Sequence, residues 1–444
     1  MPDDGFVQFN KHIIEYMRGV YVLLLISLLG YTGRVSGQES VTITQCYEWA
    51  RANYPQIHQM GLIDQTERYS LSNVGKAWLP QLSVSGKASY QSDVTKLPLD
   101  GDKISSLLPG FEIPSLSKDQ YQVVAQVDQT IWDGGSTRSA RALTRAEAIA
   151  NREQLESELY ALNDRVNQIY FGCLLQDELI RQNALLQKEL QVNIERIEAM
   201  MENGVANQSD LESMEVELLN ARQNEIELKA SRTAYRQMLA TFINKPLTDQ
   251  VVLRTPESPE RSLSTQINRP ELRALDAKSE WIETQNKQVT AGLMPRIGAF
   301  VQGGYGRPGL NMLEDSFEPY YVAGVRLSWN LGKLYTLKND RRKIEVSRRQ
   351  IDVQRETFLF NTRLQLLQQN TEIKKMTDLM RADDDIIRLR TSIKQAAEVK
   401  LENGVISVTD LIREINAEDM ARQTAAAHRV QRLMTIYNYM YTTN

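Results

Sequence analysis

The sequence predicts a mainly α-helical chain with a small β part, built as one plan written twice. Three observations predict it: two long tracts are swept clear of proline and almost of glycine, short motifs recur 200 and 215 positions apart, and four segments alternate apolar with polar residues. The rest of the composition narrows the function. Of 444 residues, 42% are apolar and 24% charged, with a formal net charge of −4, which is not the basic balance of a nucleic-acid binder. Two cysteines (Cys46, Cys173) and three histidines (His12, His58, His428) are too few for a Cys/His zinc site or a disulfide framework. No GxxxxGK[ST], HExxH or GxSxG is present. No enzyme, metal or cofactor is expected, and the two cysteines are expected as free thiols.

The first element is residues 1–37, a secretory signal peptide. The run GVYVLLLISLL at 19–29 follows Lys11 and Arg18, and Val35-Ser36-Gly37 offers small residues for cleavage before Gln38. Met17, just before Arg18, is an alternative start. The run is too short to span a bilayer, and no other apolar stretch is long enough, so no transmembrane helix is expected.

Repeat 1 covers 38–246 and repeat 2 covers 266–444, with a proline-bearing connector at 247–265. MENGVANQSDL at 201–211 recurs as LENGVISVTDL at 401–411, an offset of 200. NYPQI pairs with NRPEL, and WLPQLSVSG with LMPRIGAFV, at an offset of 215. So long a period signals duplication rather than a solenoid.

Each repeat opens with a helix, in the first over about 43–77 and broken only at Pro55. Strands follow at about 81–92 and 120–132, then at 295–306 and 319–331. In the first strand Leu82, Val84, Gly86, Ala88 and Tyr90 alternate with Ser83, Ser85, Lys87, Ser89 and Gln91, which is period 2. Tyr121, Val123, Ala125 and Val127 oppose Gln122, Gln126 and Asp128 in the second, and both strands of repeat 2 keep the alternation. A polar loop containing Pro98, Gly101, Pro109 and Pro114 joins the first two strands. About ten residues per strand suits a tilted crossing of a membrane.

Long helices are predicted over about 136–201 and 333–401, because proline costs about 3 kcal/mol and glycine about 1 kcal/mol inside a helix. Each would be a rod of roughly 100 Å. Apolar residues at 155, 159, 162, 166, 169 and 173 step by four and three, the coiled-coil rhythm.

Four strands cannot close in lipid, where an open edge costs several kcal/mol per unpaired backbone group. Closed transmembrane sheets have about eight strands or more, so the count predicts an oligomer, with three chains giving about twelve strands. Tyr90, Tyr121, Tyr305, Tyr320 and Tyr321 sit at the loop ends and Trp78, Trp132 and Trp329 at the helix ends. Two such girdles mark membrane interfaces.

The NYPQI/NRPEL pair, the WLPQLSVSG and LMPRIGAFV strand starts, the QTIWDGGSTR entry to the helix and the paired ENGV…DL segments together resemble the TolC family of outer-membrane channel proteins. The resemblance spans essentially the whole mature chain. It implies a homotrimer with a 12-stranded transmembrane β-barrel in outer-membrane lipid, continued by a periplasmic α-helical barrel whose shorter helices stack end to end. It also implies docking on a periplasmic adaptor (membrane fusion) protein and an inner-membrane RND or ABC transporter. The function implied is the outer-membrane channel of a tripartite efflux pump, a passive exit duct for small toxic compounds. A type I protein-secretion duct is an alternative of the same fold, and a soluble periplasmic coiled-coil scaffold one of another class.

The resemblance puts the turns Asn203-Gly204-Val205 and Asn403-Gly404-Val405 at the periplasmic tip, as adaptor-docking sites. The glycines suit a left-handed helix cap whatever else they do. Asp410 matches an acidic gate constriction, where three carboxylates would raise one another's pKa. Asp210 is its partner and suits a cap. Arg413 stands where some relatives have a second gate acid, and Leu401 and Ile406 where some have a tyrosine–arginine latch, so apolar contact is the expected latch. Asp383-Asp384-Asp385 reads first as a solvated face, and His428 as a packing residue.

Overall fold

In a computed structural model, the described residues are 40–95, 116–258, 265–312 and 314–444. The signal-peptide reading of 1–37 and the loop prolines 98, 109 and 114 lie outside them. The described parts form two compact units, residues 40–49 with 169–257 and residues 50–168 with 258–444. Elements run in order as β1 (Ser40–Val41), α1 (Ile43–Asn53), α2 (Gln59–Gly75), β2 (Gln81–Tyr90), β3 (Asp119–Trp132), α3 (Ser136–Tyr160), α4 (Leu162–Glu202) and α5 (Gln208–Ile243). Then come β4 (Val252–Leu253), α6 (Pro270–Ala291), β5 (Arg296–Arg307), β6 (Glu318–Ser328), α7 (Lys333–Glu402) and α8 (Val408–Thr443).

The proline-cleared tracts are helices. α7 runs unbroken for 70 residues, about 105 Å at a helical rise. The first tract differs from expectation: it is two helices, α3 and α4, with Ala161 between them. Ala161 keeps helical angles, φ −62° and ψ −17°, and Tyr160 beside it is anchored to a distant residue. Its hydroxyl donates to the Tyr441 carbonyl at 3.0 Å, and its ring stacks on Tyr441 with centroids 4.9 Å apart. Neither proline nor glycine marks the interruption. The helix over 43–77 is interrupted where its proline predicts, Pro55 opening a short 3-10 segment between α1 and α2.

In the unit of 40–49 and 169–257, α4 and α5 pack as a hairpin around Ile194, Ile197, Met214 and Leu218. β1 pairs in parallel with β4, a contact of two residues per strand that no periodicity could reveal. Tyr170 pins it, its hydroxyl reaching the carbonyls of Val41 at 2.9 Å and Arg254 at 2.6 Å. Cys46 and Cys173 are both fully buried free thiols. Burial pushes each up to about 12, with the field of Cys173 adding to the effect on Cys46.

In the unit of 50–168 and 258–444, α8 ends where α6 begins, the Asn268 N–H donating to the Thr443 carbonyl at 2.7 Å. These two shorter helices thus stack end to end, and both pack along α7. Ile282 of α6 meets Ile344 and Ile351 of α7, seven residues apart on one face. Arg269, just before α6, is buried against the rings of Tyr441, Tyr160 and Phe358 and paired with Glu271.

The same unit carries the four-stranded sheet β2-β3-β5-β6, antiparallel throughout, with β2 and β6 at its two edges. All four strands stand within a few residues of their expected places. β6 stops at Ser328, so Trp329 falls outside the ladder; its indole N–H donates instead to the Leu293 carbonyl at 2.9 Å.

Candidate functional site

The register sorts the sheet into two chemically opposite faces. On one, cross-strand neighbours read Leu82–Val127–Val301–Ala323, then Val84–Ala125–Gly303–Tyr321. On the other they read Ser83–Gln126–Gln302–Val322 and Lys87–Gln122–Gly306–Glu318. Nothing within the described residues covers the apolar face, where Leu82 is 72% exposed and Val325 70%. Leaving so much contiguous apolar surface in water would be costly, and a hydrocarbon layer is the environment it matches.

The aromatic residues divide between the two strand ends as the sequence predicts. Trp78, Trp132 and Trp329 lie at the helix end and Tyr90, Tyr121, Tyr305, Tyr320 and Tyr321 at the other. A register shift between Thr130 and Trp132 sets Trp132 opposite Ile297, on the apolar face. Tyr121 and Tyr305 stack on Phe317, and Arg307, bonded to Asp119 at 2.5 Å, lies over Tyr121 and Phe317. Tyr320 corrects the grouping. It pairs with Gly304 on the polar face, its ring lies over that glycine, and its hydroxyl accepts from the Gln122 amide. It sits on the polar face, opposite that of Tyr321, because adjacent residues of a strand point to opposite faces.

Two charges of the polar face lie close together. Arg326 approaches Asp128 at 3.8 Å and stacks over the Phe300 ring, 4.8 Å from its centroid. The turn into α3 is shaped by Asp133, which accepts from the N–H groups of Gly135 (2.9 Å) and Thr137 (2.6 Å). Burial pushes its carboxyl up, but those hydrogen bonds prevail and hold it below the usual range.

The two hairpin turns repeat each other in detail. At the first, Gly204 has φ +73° and Val205 N–H donates to the Met200 carbonyl at 2.9 Å. At the second, Gly404 has φ +69° and Val405 N–H donates to the Lys400 carbonyl at 2.8 Å. This is the left-handed closure that glycine permits without strain. Asn203 and Asn403 donate to carbonyls one turn back, those of Ala199 and Val399, so they tie off the helix ends rather than adopt the left-handed conformation. Val205 and Val405 are exposed, 57% and 68%.

Asp210 and Asp410 each close a capping box, with Asn207 and Ser407 as the N-caps. The second carboxylate is the more occupied: Oδ2 accepts from Ser407 N–H (3.1 Å) and Oγ–H (2.7 Å), and Oδ1 faces Arg413 at 3.2 Å. The Ser407 hydrogen bonds, aided by Arg413, hold Asp410 below the usual carboxylate range. Within one chain that is the reverse of the raised pKa expected from a carboxylate ring. Leu401, placed at the expected latch, is buried inside its own hairpin, as are Val408, Leu411 and Ile415.

Sequence reading missed the polar interior of the second hairpin. Asp383 is buried and meets His428 Nδ1 at 2.7 Å, so neither a solvated face nor plain packing describes the pair. Glu418, 2% exposed, accepts from Thr391 (2.6 Å) and pairs with Lys394 (2.7 Å) and Arg422 (2.5 Å). Comparison at the 200-residue offset would have flagged it. Among the described residues no group of histidine, cysteine and carboxylate side chains could hold a metal, and no helix is long and apolar enough to cross a membrane.

Residues 46–245 match the outer membrane efflux protein family. No curated protein matches the sequence. Among solved structures, the chain is similar to CusC, whose structures concern folding and transmembrane channel formation, with TM-score 0.64 and 14% identity over 90% of this chain and 92% of that one. The outer membrane protein VceC from Vibrio cholerae gives TM-score 0.61 and 12% identity, over 90% and 95%. The open state of the Neisseria gonorrhoeae MtrE outer membrane channel gives 0.60 and 14%, over 90% and 88%. At these identities the likeness is one of fold.

Proposed function

We propose, from the match of residues 46–245 to the outer membrane efflux protein family and from the fold likeness to solved outer-membrane channels over 90% of the chain, that three copies form one passive exit duct for small toxic compounds. The observation that carries this reading is the sheet itself. Four strands with one apolar and one polar face, and with both edges open, are a fragment of a barrel wall. An antiparallel order with an even number of strands lets β6 of one copy continue into β2 of the next without reversing the ladder. Three copies supply twelve strands, with Gln126, Gln302 and Arg326 facing the bore.

α7 supports the same assembly. Val346, Val353, Phe360 and Leu367 are exposed apolar residues spaced by seven, the signature of a coiled-coil seam without its partner helix. A neighbouring copy is the natural cover. The glycine-closed turns at Val205 and Val405 then serve as docking points for a periplasmic adaptor linked to an inner-membrane pump. Asp410, with Arg413 beside it, sets the charge at the narrow end.

Deletion of the gene followed by a drug-susceptibility panel tests the transport class. Increased sensitivity to several unrelated small compounds is the expected result. Unchanged sensitivity to every compound would contradict a small-molecule duct.

A further inference from the structure

Between the start of α3 and the end of α6, just beyond the last rungs of β3 and β5, lies a groove of about 680 Å³. Its apolar lining includes Trp132, Ala142, Ala291 and Met294, and its cationic lining is Arg138 and Lys287. Both cationic side chains are exposed, and no ion pair engages either among the described residues. Because Trp132 stands opposite Ile297 on the apolar side of the sheet, the groove continues that face past the end of the strands. The neighbouring junction has the same character: Leu331, Leu334 and Tyr335 at the start of α7 are exposed, Tyr335 at 90%, beside Lys333 and Lys338.

An apolar trough with basic residues and a tryptophan, at the level where membrane-facing strands end, matches a lipid with an anionic head. Basic residues gain energy beside anionic headgroups, and indole rings settle at that depth. We infer that the groove seats an anionic glycerophospholipid of the leaflet on the helix side of the strands. Its phosphate lies between Arg138 and Lys287, and an acyl chain runs along Trp132, Ala291 and Met294. The inference rests on the membrane-spanning reading of the sheet. It adds a specific lipid to what would otherwise be a general aromatic belt.

The test is native mass spectrometry of the full-length protein released from lipid nanodiscs of phosphatidylglycerol or of phosphatidylcholine. Phosphatidylglycerol adducts should persist on the wild type and on R138K/K287R, and fall by about tenfold on R138Q/K287Q. Phosphatidylcholine should be lost from all three, and excess inorganic phosphate should not displace the bound lipid. Equal retention by R138Q/K287Q, equal retention of the two lipids, or displacement by phosphate alone would overturn the inference. Conductance in planar lipid, measured on the same samples, separates the two readings. Conducting wild type without lipid discrimination refutes the lipid site alone, whereas wild type that never conducts refutes the duct.

Discussion

Lys394 on α7 and Glu418 on α8 meet at 2.7 Å, at the two positions where the first repeat buries Ile194 and Leu218. The exchange extends further: Arg390 and Glu414 pair at 3.3 Å where Leu190 and Met214 are buried. Other twin positions keep equivalent contacts. Arg232 bonds Asp177 at 2.5 Å and Arg432 bonds Thr377 at 3.0 Å, each pair 200 residues from the other. The duplicated hairpins therefore keep one register while these paired positions are apolar in one and charged in the other.

Removing one partner of the Lys394–Glu418 pair should cost far more than removing both. Glu418→Ala removes the buried carboxylate that meets Lys394, Thr391 and Arg422, and should destabilise by about 3–5 kcal/mol. Replacing both as in the first repeat, Lys394→Ile with Glu418→Leu, should be neutral or stabilising by about 1–4 kcal/mol. Thermal denaturation of the assembled protein checks the order of the three.

Acid should act through the same residue. Burial pushes Glu418 up, but Lys394, Thr391 and Arg422 outweigh it and bring it down to about 2 from an ordinary 4.5. A depressed folded pKa means that the stabilisation is complete above about 4.5 and is lost as pH falls through about 2. The linked contribution is roughly 3 kcal/mol. Stability measured from pH 6 downward should fall less steeply in Glu418→Gln than in the wild type.

Adjacent residues of β5 should differ sharply in tolerance to charge. Val301→Lys puts an ammonium on the apolar face and should cost about 2–4 kcal/mol near the middle of a bilayer. Gln302→Lys puts the same group on the polar face and should leave insertion unchanged. The yield of heat-modifiable protein in outer-membrane fractions reads the difference.

The strands and the turns were legible because local chemistry determines them. Leu82 to Tyr90 alternate as a half-apolar strand must, and Gly204 and Gly404 take the left-handed angles their position demands. What local pattern cannot carry was missed. The Tyr160 contact beside the break joins it to Tyr441, 281 residues away, and buried Asp383 meets His428, 45 residues away. Tyr320 was misgrouped because its closeness to Tyr321 hid the parity of the strand. The capping geometry of Asp410 was half legible, since its box could be read in the sequence but its pairing with Arg413 could not.

At the second tip, charge should tune ion selectivity in opposite directions. Asp410→Asn removes the carboxylate that Arg413 faces and should reduce cation preference. Arg413→Gln frees that carboxylate and should increase it. Reversal potentials in a salt gradient measure both, and identical potentials for the two variants would place Asp410 outside the constriction.

Closure of the sheets of several chains around one bore is tested most directly by the mass of the detergent-extracted protein, taken together with its conductance in planar lipid. A particle of three chains forming a discrete pore is the predicted result. A stable single chain that opens no pore would contradict it.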